Sequence, residues 1–527
     1  MVKNAVGREI PKEMAGMKLI PFKGVFAHVP TGRKAAPKLG YVASPDKRNK
    51  VVKGIEEAIK KVDLEDGMTI SFHHHFRDGD MVMNAVLKAA MKLGIKNLTL
   101  APSSTFPCQE EMVLKAIKNG TVSYIEGGSY RGKIGQAVSA GIFDKPVRVR
   151  SHGGRVRAIV SGDIHIDVAF IGAPSSDYAG NCNGLYGPHS CGCIQYSVPE
   201  AQYAEKAVVV TDNLVEYPCM PLEISEQYID VVALVDQIGD PNRIVSGTLR
   251  ITRSPTRLKI ARDAVKLAHA AGYIHDGCSF QAGAGGISLA FTKFLGELLE
   301  KEGYVASWAM GGTTKFLVDI LRKGNVKKIL TGQAFDTAAI ESMREDKNHF
   351  IAGIDHYAHL HGKGCLVNNL DVIVLGATEV DVNFNVNTVT FSNGVLSQPI
   401  GGHQDTAAGA KLTIITVPLM RGRLPIIVDD VTTVTTPGET VDAVVTEYGI
   451  AINPRRDDIL EKVKGSGLNI VDIEDLKKLA YRRAGIKEQK KPNWDDEIVA
   501  LVEYRDGTII DVIRKVKGLE NPINKIK

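Results

Sequence analysis

The stretch DGMTISFHHHFRDGD, residues 66–80, recurs in outline 210 residues further on as DGCSFQAGAGG, residues 276–286. The register holds without a gap, setting Leu98-Thr99-Leu100 opposite Trp308-Ala309-Met310 and Phe106 opposite Phe316. After a six-residue deletion it resumes at an offset of 204, pairing Ile166–Ala173 with Leu370–Ala377. Later, Ile229–Ala233 echoes Val441–Val445. A match of this length and order reads as an internal duplication. It divides the chain into an N-terminal arm (1–45), a first unit (46–265) and a second unit (266–527) that ends in a hairpin.

Each unit alternates uninterrupted apolar runs, such as Ala207–Val210 and Asp371–Leu375, with amphipathic stretches such as Met81–Leu93 and Leu289–Glu300. Strands covered by helices on both faces need apolar side chains on both sides, so the expected fold is α/β, a doubly wound parallel sheet in each unit. Ligands of such sheets gather outside the carboxyl ends of the strands. Two β-branched runs flank Arg505-Asp506-Gly507-Thr508 near the C-terminus, a hairpin expected to edge the second sheet.

A chain of 527 residues exceeds what one core supports, in keeping with two units. The net charge of +5 is small for 65 basic and 60 acidic residues that are interspersed, which speaks against nucleic acid as a partner. Seven cysteines, with only Cys191 and Cys193 close together, form no disulfide framework or zinc pattern, and reduced thiols fit a cytoplasmic location. No run reaches the roughly 18 apolar residues of a membrane span, and the N-terminus lacks an apolar signal core.

His73-His74-His75 fall on the loop after the first strand. Adjacent residues of an extended chain point to opposite faces, and no HExxH or Cys/His pair lies nearby, so no metal site is expected. Two readings remain open: histidines packed within a loop, or His73, His75 and Arg77 lining a cleft as donors and cations for an anionic substrate. In the second unit Gly283, Gly285 and Gly286 could bring backbone N–H groups against a ligand at a helix start. The pattern is neither GxGxxG nor GxxxxGK[ST], so a nicotinamide cofactor and a P-loop nucleotide are not expected. A second cluster, Gly401-Gly402-His403, and Ser151-His152-Gly153-Gly154-Arg155 are turns with arginines near them in sequence. Arg155, Arg157, Arg421 and Arg423 are candidate carboxylate clamps.

Taken together, DGMTISFHHHFRDGD, IDVAFIGAPSSDYAGNCNG, QAGAGGISLAFTKFLGE, EVDVNFNVN, IGGHQDTA and PLMRGRLP resemble the α-subunit family of bacterial citrate lyase in order and spacing. The likeness extends along nearly the whole chain, within the wider CoA-transferase superfamily of tandem α/β domains. It implies exchange of acetyl for citryl on the thioester of an acyl carrier protein. Implied partners are citrate, a lyase β subunit and a γ carrier subunit within a complex in which this chain is itself a homo-oligomer. The implied CoA-like prosthetic group belongs to the carrier, with acetyl-CoA as a surrogate and no cofactor bound permanently here.

Superfamily members that form a glutamyl thioester carry a motif like GIHTE. This chain reads Gly311-Gly312-Thr313-Thr314-Lys315 at that place, which points to direct attack by a citrate carboxylate and a mixed anhydride. The resemblance assigns Gly283, Gly285, Gly286, Gly401 and Gly402 to the thioester oxygen or the pantetheine arm. Arg77, His73, His75 and Arg421 fall to citrate, and Glu379 is the residual candidate for nucleophile or base. Competing readings are a transferase or hydrolase acting on free CoA through a covalent glutamate, and a non-catalytic scaffold.

Overall fold

The apolar runs become the centres of two large sheets in this computed structural model, which describes residues 1–25, 27, 49–244, 250–283 and 285–526. Residues 28–45 of the expected arm, and Ala284, lie outside the described residues. The first sheet contains β1 (Val51–Lys53), β2 (Thr69–Phe72), β3 (Leu98–Pro102), β4 (Val122–Ile125), β5 (Val168–Gly172), β6 (Lys206–Thr211) and β7 (Val231–Leu234). Its order is β1-β7-β6-β5-β2-β3-β4, all parallel. The second contains β8 (Ser279–Ala282), β9 (Trp308–Thr313), β10 (Ile329–Ala334), β11 (His349–Ile351), β12 (Val372–Leu375), β13 (Leu412–Thr416), β14 (Ala443–Thr446) and β15 (Gly449–Ile452). Its order is β11-β10-β9-β8-β12-β13-β14-β15, parallel except for β14 against β15.

In both sheets the chain runs outward from one central strand, then returns to that strand's other side. The switch lies between β2 and β5 in one sheet and between β8 and β12 in the other. A crevice opens at the carboxyl ends of such a pair, because the loops there turn in opposite directions. The helices expected at Met81–Leu93 and Leu289–Glu300 form as Val82–Lys92 and Gly286–Glu302.

Four aspartates do one job at the opposite ends of these strands. Asp167 accepts from the Thr69 N–H (2.7 Å), Asp230 from Ala207 (2.8 Å), Asp371 from Ser279 (2.8 Å) and Asp442 from Thr413 (2.7 Å). Each satisfies a donor at the start of a neighbouring strand, where the ladder has not yet begun. The Asp-Val pairs of the sequence repeat are therefore strand-start caps.

The C-terminal hairpin forms, Trp494–Glu503 with Ile509–Val516, but it does not edge the second sheet. It pairs in parallel with Val147–Val149 of the first half, and Ala500, Val502, Ile510 and Ile513 join that half's core. Charge selects this partner as much as apolar area. Glu503, 1% exposed, meets Arg148 (2.6 Å), Arg150 (3.0 Å) and Arg157 (2.7 Å). The sequence pattern shows that a hairpin exists but not which edge it seeks. The described part of the arm packs on the same hairpin, with Phe22 edge-on to Tyr504 at 4.7 Å.

Burial alone would raise the Glu503 carboxyl, but Arg150, Arg157 and Arg148 outweigh it and hold it at about 2. Its stabilisation is therefore complete above the ordinary value of 4.5 and is lost as pH falls toward about 2. Glu503→Ala strands buried guanidiniums and should cost about 3–5 kcal/mol near neutral pH, read from urea midpoints. The gap between wild type and variant should narrow as the pH drops through that window.

Candidate active-site cleft

The two sets of carboxyl ends face each other across a cleft of about 700 Å³. From the first half, the loops after β2, β3 and β4 contribute His74, Arg77, Ser103, Ser104, Ser129 and Arg131, and the helix His152–Val160 adds its first turn. From the second, the carboxyl ends of β8, β9, β10 and β12 and the loops after them contribute Gln281, Gly283, Gly285, Gly312, Gln333 and Gly376.

The charge of the lining is one-sided. Arg77, Arg131, Arg150, Arg155 and Arg421 line the cleft, and among the described residues no Asp or Glu does. Arg150 is neutralised by Glu126 and Glu503, and Arg155 by Glu200 at 2.6 Å. Arg77 and Arg131 instead share an aromatic ring, their guanidinium carbons 5.5 and 4.6 Å from the centre of Phe106, while Arg77 also lies 4.5 Å from Phe335. Burial pulls Arg131 down to about 10; burial and the neighbouring Arg131 do the same to Arg77, with Asp78 opposing. Two crowded, partly desolvated cations are stabilised when an anion enters between them.

The loop that presents Arg77 is held under strain, since Arg77 adopts φ +54°, a left-handed conformation that costs a non-glycine residue on the order of 1–3 kcal/mol. Its acids supply the hold. Asp78 accepts from the Cys108 N–H (2.9 Å) and pairs with Arg243 (2.8 Å); Asp80 accepts from Gln109 (2.7 Å). The RDGD sequence thus spends its carboxylates on fixing the loop that carries Arg77 into the lining.

The three histidines divide. His74 lines the cleft, its Nδ1 2.5 Å from Ser103 Oγ, whereas His73 and His75 pack behind it with their Nδ1 atoms in contact. Burial takes His73 down to about 3 and holds His74 and His75 well below their usual value. The expectation that His73 and His75 act as cations toward an anion therefore fails: desolvation keeps them neutral and packing keeps them out of the lining.

Gly283 and Gly285 line the cleft, and Gly285 caps the long helix Gly286–Glu302 without any side chain. Gly286 lies behind them, its carbonyl accepting from the Thr252 N–H at 3.2 Å. Gly401 and Gly402 also line it, with Gly401 at φ +62° accepting from the His152 N–H at 2.9 Å. Arg421 sits at the rim, donating to the Ala377 carbonyl (3.1 Å). Glu379 is elsewhere: 1% exposed, it accepts from Asn387 Nδ2 (2.9 Å), the Thr432 N–H (2.8 Å) and Thr432 Oγ1 (3.1 Å). That carboxylate ties two segments together and is not part of the lining. Lys315, at the place of the superfamily glutamate, is exposed at the start of a helix.

Sequence reasoning missed Arg131, Ser103, Ser129, Tyr196 and Tyr357, all of which line the cleft. No motif marks them, although Ser103, Ser129 and Arg131 each follow the end of a strand in the first sheet, where the doubly wound rule directs attention.

Residues 48–516 match the family described as citrate lyase, alpha subunit. The chain is 42% identical over 500 residues to the citrate lyase alpha chain of Klebsiella pneumoniae, covering 95% of this chain and 96% of that one. A crystal structure assigned to the alpha subunit of citrate lyase from Streptococcus mutans, in complex with citrate, superposes with a TM-score of 0.92 at 46% identity, covering 97% and 99% of the two chains. The malonate decarboxylase alpha subunit of Acinetobacter baumannii shares the fold alone, at a TM-score of 0.60 and 14% identity over 84% of this chain and 91% of that one.

A Cβ added at Gly285 would find no atom within 4 Å, and its φ of −73° suits any residue. At Gly402 the added Cβ would collide with Tyr357 Oη. Gly285→Val should therefore melt within about 2 °C of wild type, while Gly402→Val should melt lower by several degrees, about 1–3 kcal/mol of overpacking. Thermal unfolding of the two variants checks this contrast.

Proposed function

Because the chain belongs to the citrate lyase alpha-subunit family, we propose that this cleft exchanges acetyl for citryl on the thioester of an acyl carrier protein, yielding acetate and citryl-carrier. The protein is thereby the citrate CoA-transferase subunit of citrate lyase. The observation that carries the reading is the cleft lining: cations for a polycarboxylate, open glycine backbone for an acyl arm and, among the described residues, no enzyme carboxylate to compete with either.

Arg77 and Arg131, joined through Phe106, hold the citrate carboxylates that do not react. A remaining carboxylate oxygen attacks the acetyl carbonyl, a C–O bond forms, and the C–S bond breaks with the thiolate as leaving group. The thiolate then attacks the citryl carbonyl of the mixed anhydride and acetate departs, so no net proton is transferred. The carrier's CoA-derived arm supplies the thiol. Room for it exists beside the glycines, since a Cβ at Gly285 or Gly376 meets nothing within 4 Å. Walls contributed by both halves exclude water, which would hydrolyse the anhydride.

The lyase β chain and the γ carrier are the partners in this reading, and the chain works in the cytoplasm. Its seven cysteines are all free, and among the described residues no helix is long and apolar enough to cross a membrane. The same reading takes residues 46–265 and 266–527 as copies of one CoA-transferase-like unit. The shared strand order and the paired caps Asp167/Asp371 and Asp230/Asp442 support that descent. Glu379 is a structural residue here.

The test is release of acetate from acetyl-carrier, or acetyl-CoA as surrogate, by the purified chain. Release should require citrate, and borohydride or hydroxylamine should trap no acyl-enzyme; a covalent adduct would overturn the anhydride route. Arg77→Met and Arg131→Met should each raise the KM for citrate about 10- to 100-fold, the loss of one charged hydrogen bond of about 1.5–3 kcal/mol. Glu379→Gln should lower the melting temperature and leave kcat within about threefold, given that a purely supporting group does not enter the transition state.

A further inference from the structure

We propose that His152 is a catalytic hydrogen-bond donor, presenting a neutral Nε2–H to the oxygen that gains charge at the attacked acyl carbonyl, and that Tyr196 fixes it in that tautomer. The inference rests on the exchange reading above. His152 opens the helix His152–Val160, and its backbone N–H donates to the Gly401 carbonyl at 2.9 Å, so the ring is carried to the seam where the two halves meet. The ring stands 5.8 Å from the ring of His74 and edge-on to Tyr196 at 5.3 Å.

Its two nitrogens face different surroundings. Nδ1 lies 2.8 Å from Tyr196 Oη, and Tyr196 is 5% exposed. Among the described residues no other hydrogen-bond acceptor is within reach of that phenol. A buried O–H left unmet costs about 1–3 kcal/mol, so the phenol proton goes to Nδ1. Burial keeps the phenol protonated, and burial with Arg131 and Arg155 takes the imidazole down to about 4. A neutral ring that accepts at Nδ1 carries its own proton at Nε2.

His152 lines the cleft and is half-buried, and its Nε2 lies 3.7 Å from where a Gly401 Cβ would stand, beside the Gly401-Gly402 turn. That position suits an oxygen of the reacting acyl group, flanked by glycines that let it approach. Attack by a carboxylate places one negative charge on the carbonyl oxygen, and a thiolate leaving group needs no proton. A donor that keeps its hydrogen throughout is therefore the chemistry required. Neutrality matters too, because a third cation would bind citrate in the ground state and gain nothing in the transition state.

The experiment measures acetyl-for-citryl exchange on the carrier with wild type, His152→Ala, His152→Gln and Tyr196→Phe, each checked for wild-type folding by thermal unfolding. His152→Ala should lose about 100-fold in kcat with the KM for citrate within about threefold, as expected for one transition-state donor. His152→Gln, whose amide N–H can still donate, should recover roughly tenfold of that loss. Tyr196→Phe should lose about tenfold in kcat, and ¹⁵N NMR should show the His152 ring leaving its single Nε2–H form. A His152→Ala kcat within threefold of wild type, or a glutamine variant no better than alanine, would overturn the role of His152. Unchanged ring ¹⁵N shifts in Tyr196→Phe would overturn that of Tyr196. A wild-type chain that performs no exchange would instead overturn the proposed function itself.

Discussion

Asp405 has no solvent exposure, and its carboxylate accepts from Ser151 Oγ (3.0 Å) and the Gly153 N–H (3.0 Å). Burial raises its pKa, and Arg505 from the C-terminal hairpin opposes that rise at 3.8 Å. One side chain of the second half thus grips the first helical turn of the other half with a hairpin cation alongside. Removing a partner would leave a buried charge uncompensated, so the three segments hold one another in register. The cleft depends on this joint, because the carboxyl ends of two separate sheets enclose a reaction space only if they are held mouth to mouth. Gly153 is required at the joint, since a Cβ there would strike Asp405 and the Ala358 carbonyl.

Beneath the cleft, charge is arranged in two layers. Glu126, Glu200 and Glu503 lie behind the lining and neutralise Arg150, Arg155 and Arg157, while the lining itself carries cations and no acid among the described residues. Above this floor of satisfied ion pairs, Arg77, Arg131 and Arg421 bring positive charge to the lining. Burial holds His74 and His152 of the lining below the usual imidazole range, which suits them to hydrogen bonding and shape more than to charge. In the proposed exchange, binding charge and transition-state stabilisation fall to different residue types, arginine and histidine.

The recurring apolar pattern of the sequence made the strands and their parallel arrangement legible. Of the residues it singled out, Arg77, Gly283, Gly285, Gly401, Gly402 and Arg421 line the cleft. It failed wherever a role depends on what lies opposite. Glu379 is the residual candidate for nucleophile or base in the sequence, yet Thr432, 53 residues away, and Asn387 consume it. The histidine triplet admits two readings, packed loop or cleft-lining cations, until burial is known. Arg131 carries no motif, and only its approach to the Phe106 ring that Arg77 also meets gives it significance.

The sequence by itself determined what is local or periodic: apolar runs that must be buried on two faces, turns that need glycine, and a hairpin with two β-branched arms. Those properties follow from the backbone and from each residue's own chemistry. Only the tertiary structure decided that the hairpin joins the first half, that two carboxyl-end mouths share one space, and which charges are already paired there. Such facts belong to pairs of residues hundreds of positions apart, whose energies depend on distance and on the water excluded between them, and neither quantity is written along the chain.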